Sequence, residues 1–105
     1  MSNPSTTSER AHMFLMISNY TRPLDEVNTL RPEHLAFLND LEARGLVVSA
    51  GMQSPPTGGV ILLSTDDEAE ARELISGDPY SIAGYSEYQA IGWTPMRGVL
   101  AEWTP

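Results

Sequence analysis

Cysteine is absent from this chain of 105 residues, and so is lysine. Without cysteine there is no disulfide, no thiol nucleophile and no thiolate metal site, and the default setting is cytoplasmic. Without lysine there is no amine for a Schiff base, which removes that branch of covalent catalysis. The 6 basic residues are all arginine, set against 14 acidic ones, for a formal net charge of −8. So acidic a chain suits neither nucleic acid, whose affinity rests on phosphate contacts, nor an anionic membrane surface. No run approaches the ~18 apolar residues of a membrane span. There is no HExxH motif and no His/Asp/Glu cluster at ligand spacing. The 2 histidines are too few for a zinc site of the usual kind, so no metal or other cofactor is expected. "PPTGGV" lacks a P-loop lysine and leads into an apolar run, so it reads as a turn. The "DDEAE" carboxylates read as the solvated first turn of a helix, not as a catalytic pair.

What the chain does contain is a clear order of periodic segments. The opening "MSNPSTTSER" lacks the basic start and apolar run of a signal peptide; residues 1–11 are expected to be a disordered tail ahead of one domain over 12–105. "HMFLMISNY" (12–20) is a compact apolar strand, and "TRPLDEVNT" (21–29) reads as a loop. Pro32 suits the first turn of a helix that stops at Gly45. In "LVVSAGMQ", Leu46, Val48, Ala50 and Met52 alternate with Val47, Ser49, Gly51 and Gln53, the pattern of a strand. After the turn "SPPTGG", "VILLS" (60–64) is a continuous apolar strand. A second helix is expected from Thr65, with Glu68 at capping-box spacing, to Gly77. "YSEYQAIGW" (85–93) is rich in strand formers.

The order β-α-β-β-α-β defines an α+β class with a ferredoxin-like antiparallel sheet, its two helices on one face. Such a sheet should be polar on its other face. Residues 13–17 and 60–63 are instead apolar throughout. The second face therefore needs a cover, and the simplest is another copy of the chain about a two-fold axis. A homodimer with sheets face to face is expected.

The first helix poses the functional question. On a wheel of about 100° per residue, Leu30, His34, Phe37, Leu38 and Leu41 share one face of "LRPEHLAFLNDLEARG". A histidine at the centre of a buried stripe is either a core residue held by a backbone hydrogen bond or a general acid–base group tuned by a carboxylate. The other histidine, His12, lies at the start of the first strand and reads as a surface residue. Asp78, followed by Pro79, has the form of an N-cap opening a short helix over "PYSIAG". Ala71, Ile75 and Asp78 also continue one helical face, so the same carboxylate can point inward towards His34.

The residues "RPEHLAFLNDLEARGLVVSAGMQ", and later "DPYSIAGYSEYQAIGW", resemble the YCII-related (YciI-like) family. The shared features are Arg31-Pro32-x-His34-Leu35, the Gly45 stop, the "SAG" of the second strand, and Asp78-Pro79-Tyr80 followed by Gly84. The resemblance implies a dimeric α+β barrel and a His34–Asp78 pair in a ligand pocket. One branch of the family removes chloride from a chlorinated hydroxyquinol. In such a pair the carboxylate fixes one ring nitrogen and leaves the other to move a proton. Arg31, one turn before His34, is a candidate anchor for an anionic or phenolic ligand. Ser49, on the strand face shared with Gly51, and Tyr80 and Tyr85 are further candidate ligand contacts. A Ser49–His34–Asp78 triad is disfavoured, since nothing puts Ser49 on a nucleophile elbow. The expectation is a small cofactor-free enzyme, of lyase (dehydrochlorinase) or isomerase type, acting on a small aromatic or enolisable molecule. The alternative is a non-catalytic binding or interaction module on the same dimeric barrel.

Overall fold

Met13–Tyr20 forms the first strand, β1, because its alternate residues meet two different environments. Phe14, Met16 and Ser18 are buried on one side of it; Leu15 and Ile17 are half-buried on the other. The computed structural model describes residues 12–103, so the tail expected over 1–11 lies outside the described residues. Where a loop is expected after β1, the chain makes a short helix α1 (Leu24–Val27) and a 3₁₀ turn over Asn28–Leu30. Asp25 and Glu26 occupy the first turn of α1 and Val27 is fully buried, so an acidic start and one apolar anchor suffice for a helical turn here.

Helix α2 (Arg31–Ala43) carries the expected stripe: Leu41 is buried, and His34, Phe37 and Leu38 are half-buried. It ends in a Schellman arrangement at Gly45, whose φ of 73° needs a residue without Cβ. The Gly45 N–H donates to the Glu42 carbonyl and the Leu46 N–H to the Leu41 carbonyl, both at 3.0 Å. Leu46 then packs against the core that contains Leu41, the apolar contact that accompanies this ending.

Strands β2 (Val47–Met52) and β3 (Gly59–Leu63) are joined by the expected turn. The strict alternation read from the sequence of β2 fails at its start. Val47 pairs with Leu63 but Ser49 with Leu62, so Val48 is the extra residue of a bulge. The bulge turns Val47 to the same face as Ala50 and Met52, where it packs on the core, and Val48 loses the place the alternation assigned to it.

Helix α3 (Glu68–Ile75) starts later than the capping-box spacing implied. Its N-cap is Asp67, whose carboxylate accepts the Ala69 N–H at 3.3 Å. Thr65 is buried and hydrogen-bonded to the Glu70 carboxylate, so it braces the first turn from the side without capping it. Asp78 caps the short helix α4 (Pro79–Ile82), with Pro79 in its first turn as expected. Strand β4 (Ser86–Trp93) pairs along the whole of β1.

The sheet order is β2-β3-β1-β4 with every neighbouring pair antiparallel, the split βαβ arrangement of an α+β, ferredoxin-like fold. The core lies between sheet and helices, built from Phe14, Met16, Leu41, Ile61, Leu63, Ala71 and Ile75. On the opposite face Ile91 and Trp93 are each 40% exposed beside half-buried Leu15, Ile17 and Val60. Among the described residues no helix is long and apolar enough to cross a membrane.

Candidate active site

The lower half of the α2 stripe meets the cap of α4. His34 Nδ1 lies 2.8 Å from Asp78 Oδ1, with the Asp78 side chain wholly buried and the His34 side chain 14% exposed. Asp78 thus does both things its sequence context allowed. Its Oδ1 accepts the Tyr80 backbone N–H at 3.1 Å as a helix cap and also faces the histidine. Its Oδ2 accepts the Tyr88 hydroxyl at 2.7 Å. With three donors converging on it, the carboxylate acts as acceptor only, so in the neutral imidazole the proton sits on Nδ1 and the Nε2 lone pair is free.

Rings hold the imidazole from the side. His34 stacks on Tyr80 with centroids 4.1 Å apart and planes 10° from parallel, and Tyr80 meets Tyr20 edge-on at 5.9 Å. These rings, with Arg31, Tyr88 and Ser18, form part of the wall of a cavity of about 240 Å³ between α2 and the sheet. The sheet floor comes close because glycines permit it. A Cβ on Gly58 would sit 1.8 Å from the Ser18 carbonyl oxygen, and Gly59 donates its N–H to Ser18 Oγ at 2.7 Å.

The phenols carry the electrostatics of the site. Burial pushes the Tyr88 hydroxyl far above its ordinary range; the charge of Asp78 and the hydrogen bond donated to it add to this, and a bond with Ser18 works in the other direction. Burial also raises Tyr20 and Tyr80, and in both the Arg31 guanidinium acts against the rise. Arg31 lines the same cavity as the two rings.

Of the residues singled out from the sequence, His34, Asp78, Arg31 and Tyr80 come together. Ser49 does not join them. It pairs with Leu62 on the opposite face of the sheet and is not part of the cavity wall: the alternation from Ser49 to Met52 is as read from the sequence, and the cavity opens on the face of Ala50 and Met52. Tyr85 also stands outside the wall; its backbone links Tyr80 and Thr21, donating to one carbonyl and accepting the other's N–H. His12 is exposed, as its position suggested. Sequence reading missed Tyr88, Tyr20 and Ser18. The available signal was strand alternation: Ser18 faces Tyr88 directly across the β1–β4 ladder, and Tyr20 lies two residues further on the same face.

An antiparallel ferredoxin-like sheet carrying a buried His–Asp pair beside a small cavity describes a class of compact α+β proteins. The profile of the YCII-related domain matches residues 13–94, and the chain belongs to that family. No curated protein matches it by sequence. Among solved structures it is similar to the 5-chloro-2-hydroxyhydroquinone dehydrochlorinase of Burkholderia phenoliruptrix AC1100, in complex with 2,5-dihydroxybenzoquinone. That match has 22% identity and a TM-score of 0.66, and covers 77% of this chain and 92% of the other.

Proposed function

We propose that the protein is a small enzyme that uses the His34–Asp78 pair for acid–base chemistry, without a cofactor, on a small aromatic or enolisable molecule. The observation that carries the reading is the anchored imidazole: Nδ1 is engaged by a buried carboxylate while the ring borders a cavity of about 240 Å³. A base in that setting takes a proton through Nε2, and Asp78 stabilises the imidazolium that results. In an elimination, the electron pair of the broken C–H bond forms the new double bond and halide leaves with its own pair. In an isomerisation, His34 returns the proton to a different atom. Arg31 is the proposed anchor for an anionic or phenolate group, and Tyr80 a proposed contact for a flat ring.

The likeness to a dehydrochlorinase supports the elimination form of this reading. A homodimer, with the apolar outer faces of two sheets together, and a cytoplasmic setting belong to the same proposal. The test is a screen of chlorinated hydroxyquinols and other small enolisable aromatics for halide release and for solvent deuterium uptake. His34→Ala is expected to lower the rate by about 10²–10⁴-fold. A ligand that binds with neither reaction, or turnover unchanged in His34→Ala, rejects the enzyme and leaves a binding module.

A further inference from the structure

The pair is really a chain of three side chains, and its third member faces it from another element. Tyr88 reaches Asp78 Oδ2 from β4, while His34 reaches Oδ1 from α2. We propose that Tyr88 is a positioning residue: its hydroxyl holds the Asp78 carboxylate in the one orientation that fixes the His34 tautomer. The inference rests on the acid–base reading above and adds to it the residue that sets the geometry of the pair.

Asp78 begins a helix of 4 residues; its backbone carbonyl accepts the Ile82 N–H, and the cap bond to Tyr80 is the tie its side chain makes to α4. A carboxylate held at Oδ1 alone can turn about its last torsion, which is broad. The Tyr88 bond at Oδ2 removes that freedom. The hydroxyl is itself placed from behind. Ser18 stands opposite Tyr88 across the β1–β4 ladder and interacts with its phenol, and Ser18 Oγ in turn accepts the Gly59 N–H at 2.7 Å. Behind the chain of bonds from Tyr88 through Asp78 to the imidazole, Ser18 is thus itself tied to the backbone of β3. Burial keeps Tyr88 a protonated donor well above neutral pH. The other charged or titratable groups facing the site are Arg31, Glu33 and Glu42 from α2, Tyr20 from β1 and Tyr80 from α4.

The experiment is ring ¹⁵N and Nδ1–H proton NMR of His34 in the native protein, Asp78→Asn and Tyr88→Phe. The native ring is expected to give two well-separated nitrogen shifts and a sharp downfield Nδ1–H signal that Asp78→Asn abolishes. In Tyr88→Phe that signal should broaden by exchange with water and the nitrogen shifts should converge, reporting a mixed tautomer. An unchanged signal in folded Tyr88→Phe overturns the role of Tyr88 and leaves the pair intact. A native ring without the signal overturns the pair as well. Should Tyr88→Phe not fold, 3-fluorotyrosine at position 88 keeps ring and hydroxyl but donates more strongly. It should draw charge from Asp78 and move the Nδ1–H signal upfield; no movement rejects the proposal.

Discussion

His34 and Tyr80 lie face to face, ring centroids 4.1 Å apart and planes 10° from parallel. The contact is more than packing, because Asp78 joins the two residues chemically. One carboxylate oxygen takes both the imidazole Nδ1 and the Tyr80 backbone N–H. The cap that starts α4 and the pair that defines the site are therefore one interaction, and the ring stack closes it into a loop.

Tyr80 is 2% exposed, whereas Ile82 on the same short helix is 74% exposed. Truncating a buried aromatic costs about 3–5 kcal/mol. Tyr80→Ala should lose stability on that scale in urea unfolding, and Ile82→Ala should stay within about 0.5 kcal/mol of the native protein. Equal effects at the two positions would remove Tyr80 from the core of the site.

Much of this arrangement was legible in the sequence, for identifiable reasons. Helical spacing placed His34 on the α2 stripe, the Asp78-Pro79 step marked a cap, and unbroken apolar strands marked a ferredoxin-like sheet with two apolar faces. What was not legible depended on a single extra residue or on distance through space. Val48 adds one residue to β2, and no composition rule announces a bulge, so Val47 turned to the face opposite the one read for it. Ser49 kept its face, but the cavity opens on the other one, which alternation alone does not reveal. Thr65 has the residue type of a cap but is spent on Glu70, leaving Asp67 to cap α3. Tyr88 looked like any aromatic strand residue until the fold set it across from Ser18 and against Asp78.

Substitutions at Asp78 separate cap from charge partner. Asparagine keeps the cap and loses the charge, so a residue that only caps tolerates Asp78→Asn at a cost of a few tenths of a kcal/mol. Here the carboxylate is also the acceptor for His34 and Tyr88. Asp78→Asn should therefore cost about 1–3 kcal/mol. Asp78→Ala, which strands a buried hydroxyl and the imidazole, should cost about 3–5 kcal/mol. Chemical denaturation of the two variants side by side decides the matter: a near-neutral Asp78→Asn makes the residue a cap and nothing more.

Stability should fall at alkaline pH through the tyrosines of the site. Burial raises Tyr20, Tyr80 and Tyr88 in the folded protein, while in the unfolded chain each ionises near the reference value of about 10. Below that pH both states hold the proton and the contribution to stability is complete. Above it the unfolded state releases protons that the folded state retains, so unfolding becomes easier as pH rises. Each such group adds a slope of up to about 1.4 kcal/mol per pH unit. Denaturation midpoints should drop between pH 10 and 11, and less steeply in Tyr88→Phe. Parallel declines in the two proteins would contradict the burial of that phenol.

The outer face of the sheet carries the last expectation, the homodimer. Ile91 and Trp93 are 40% exposed there, next to Leu15 and Ile17, and helices α2 and α3 pack on the other side. A stable pair of subunits buries on the order of 800 Å² from each, and a four-stranded sheet face offers an area of that order. With a chain mass of 11.5 kDa, sedimentation should return twice that value at micromolar concentration. Ile17→Glu places a charge at the centre of the face without touching the cavity wall. It should shift the protein towards monomer while leaving the His34 ring signals as they are. A native monomer independent of concentration would remove the dimer from the reading, and the apolar outer face would then need another occupant.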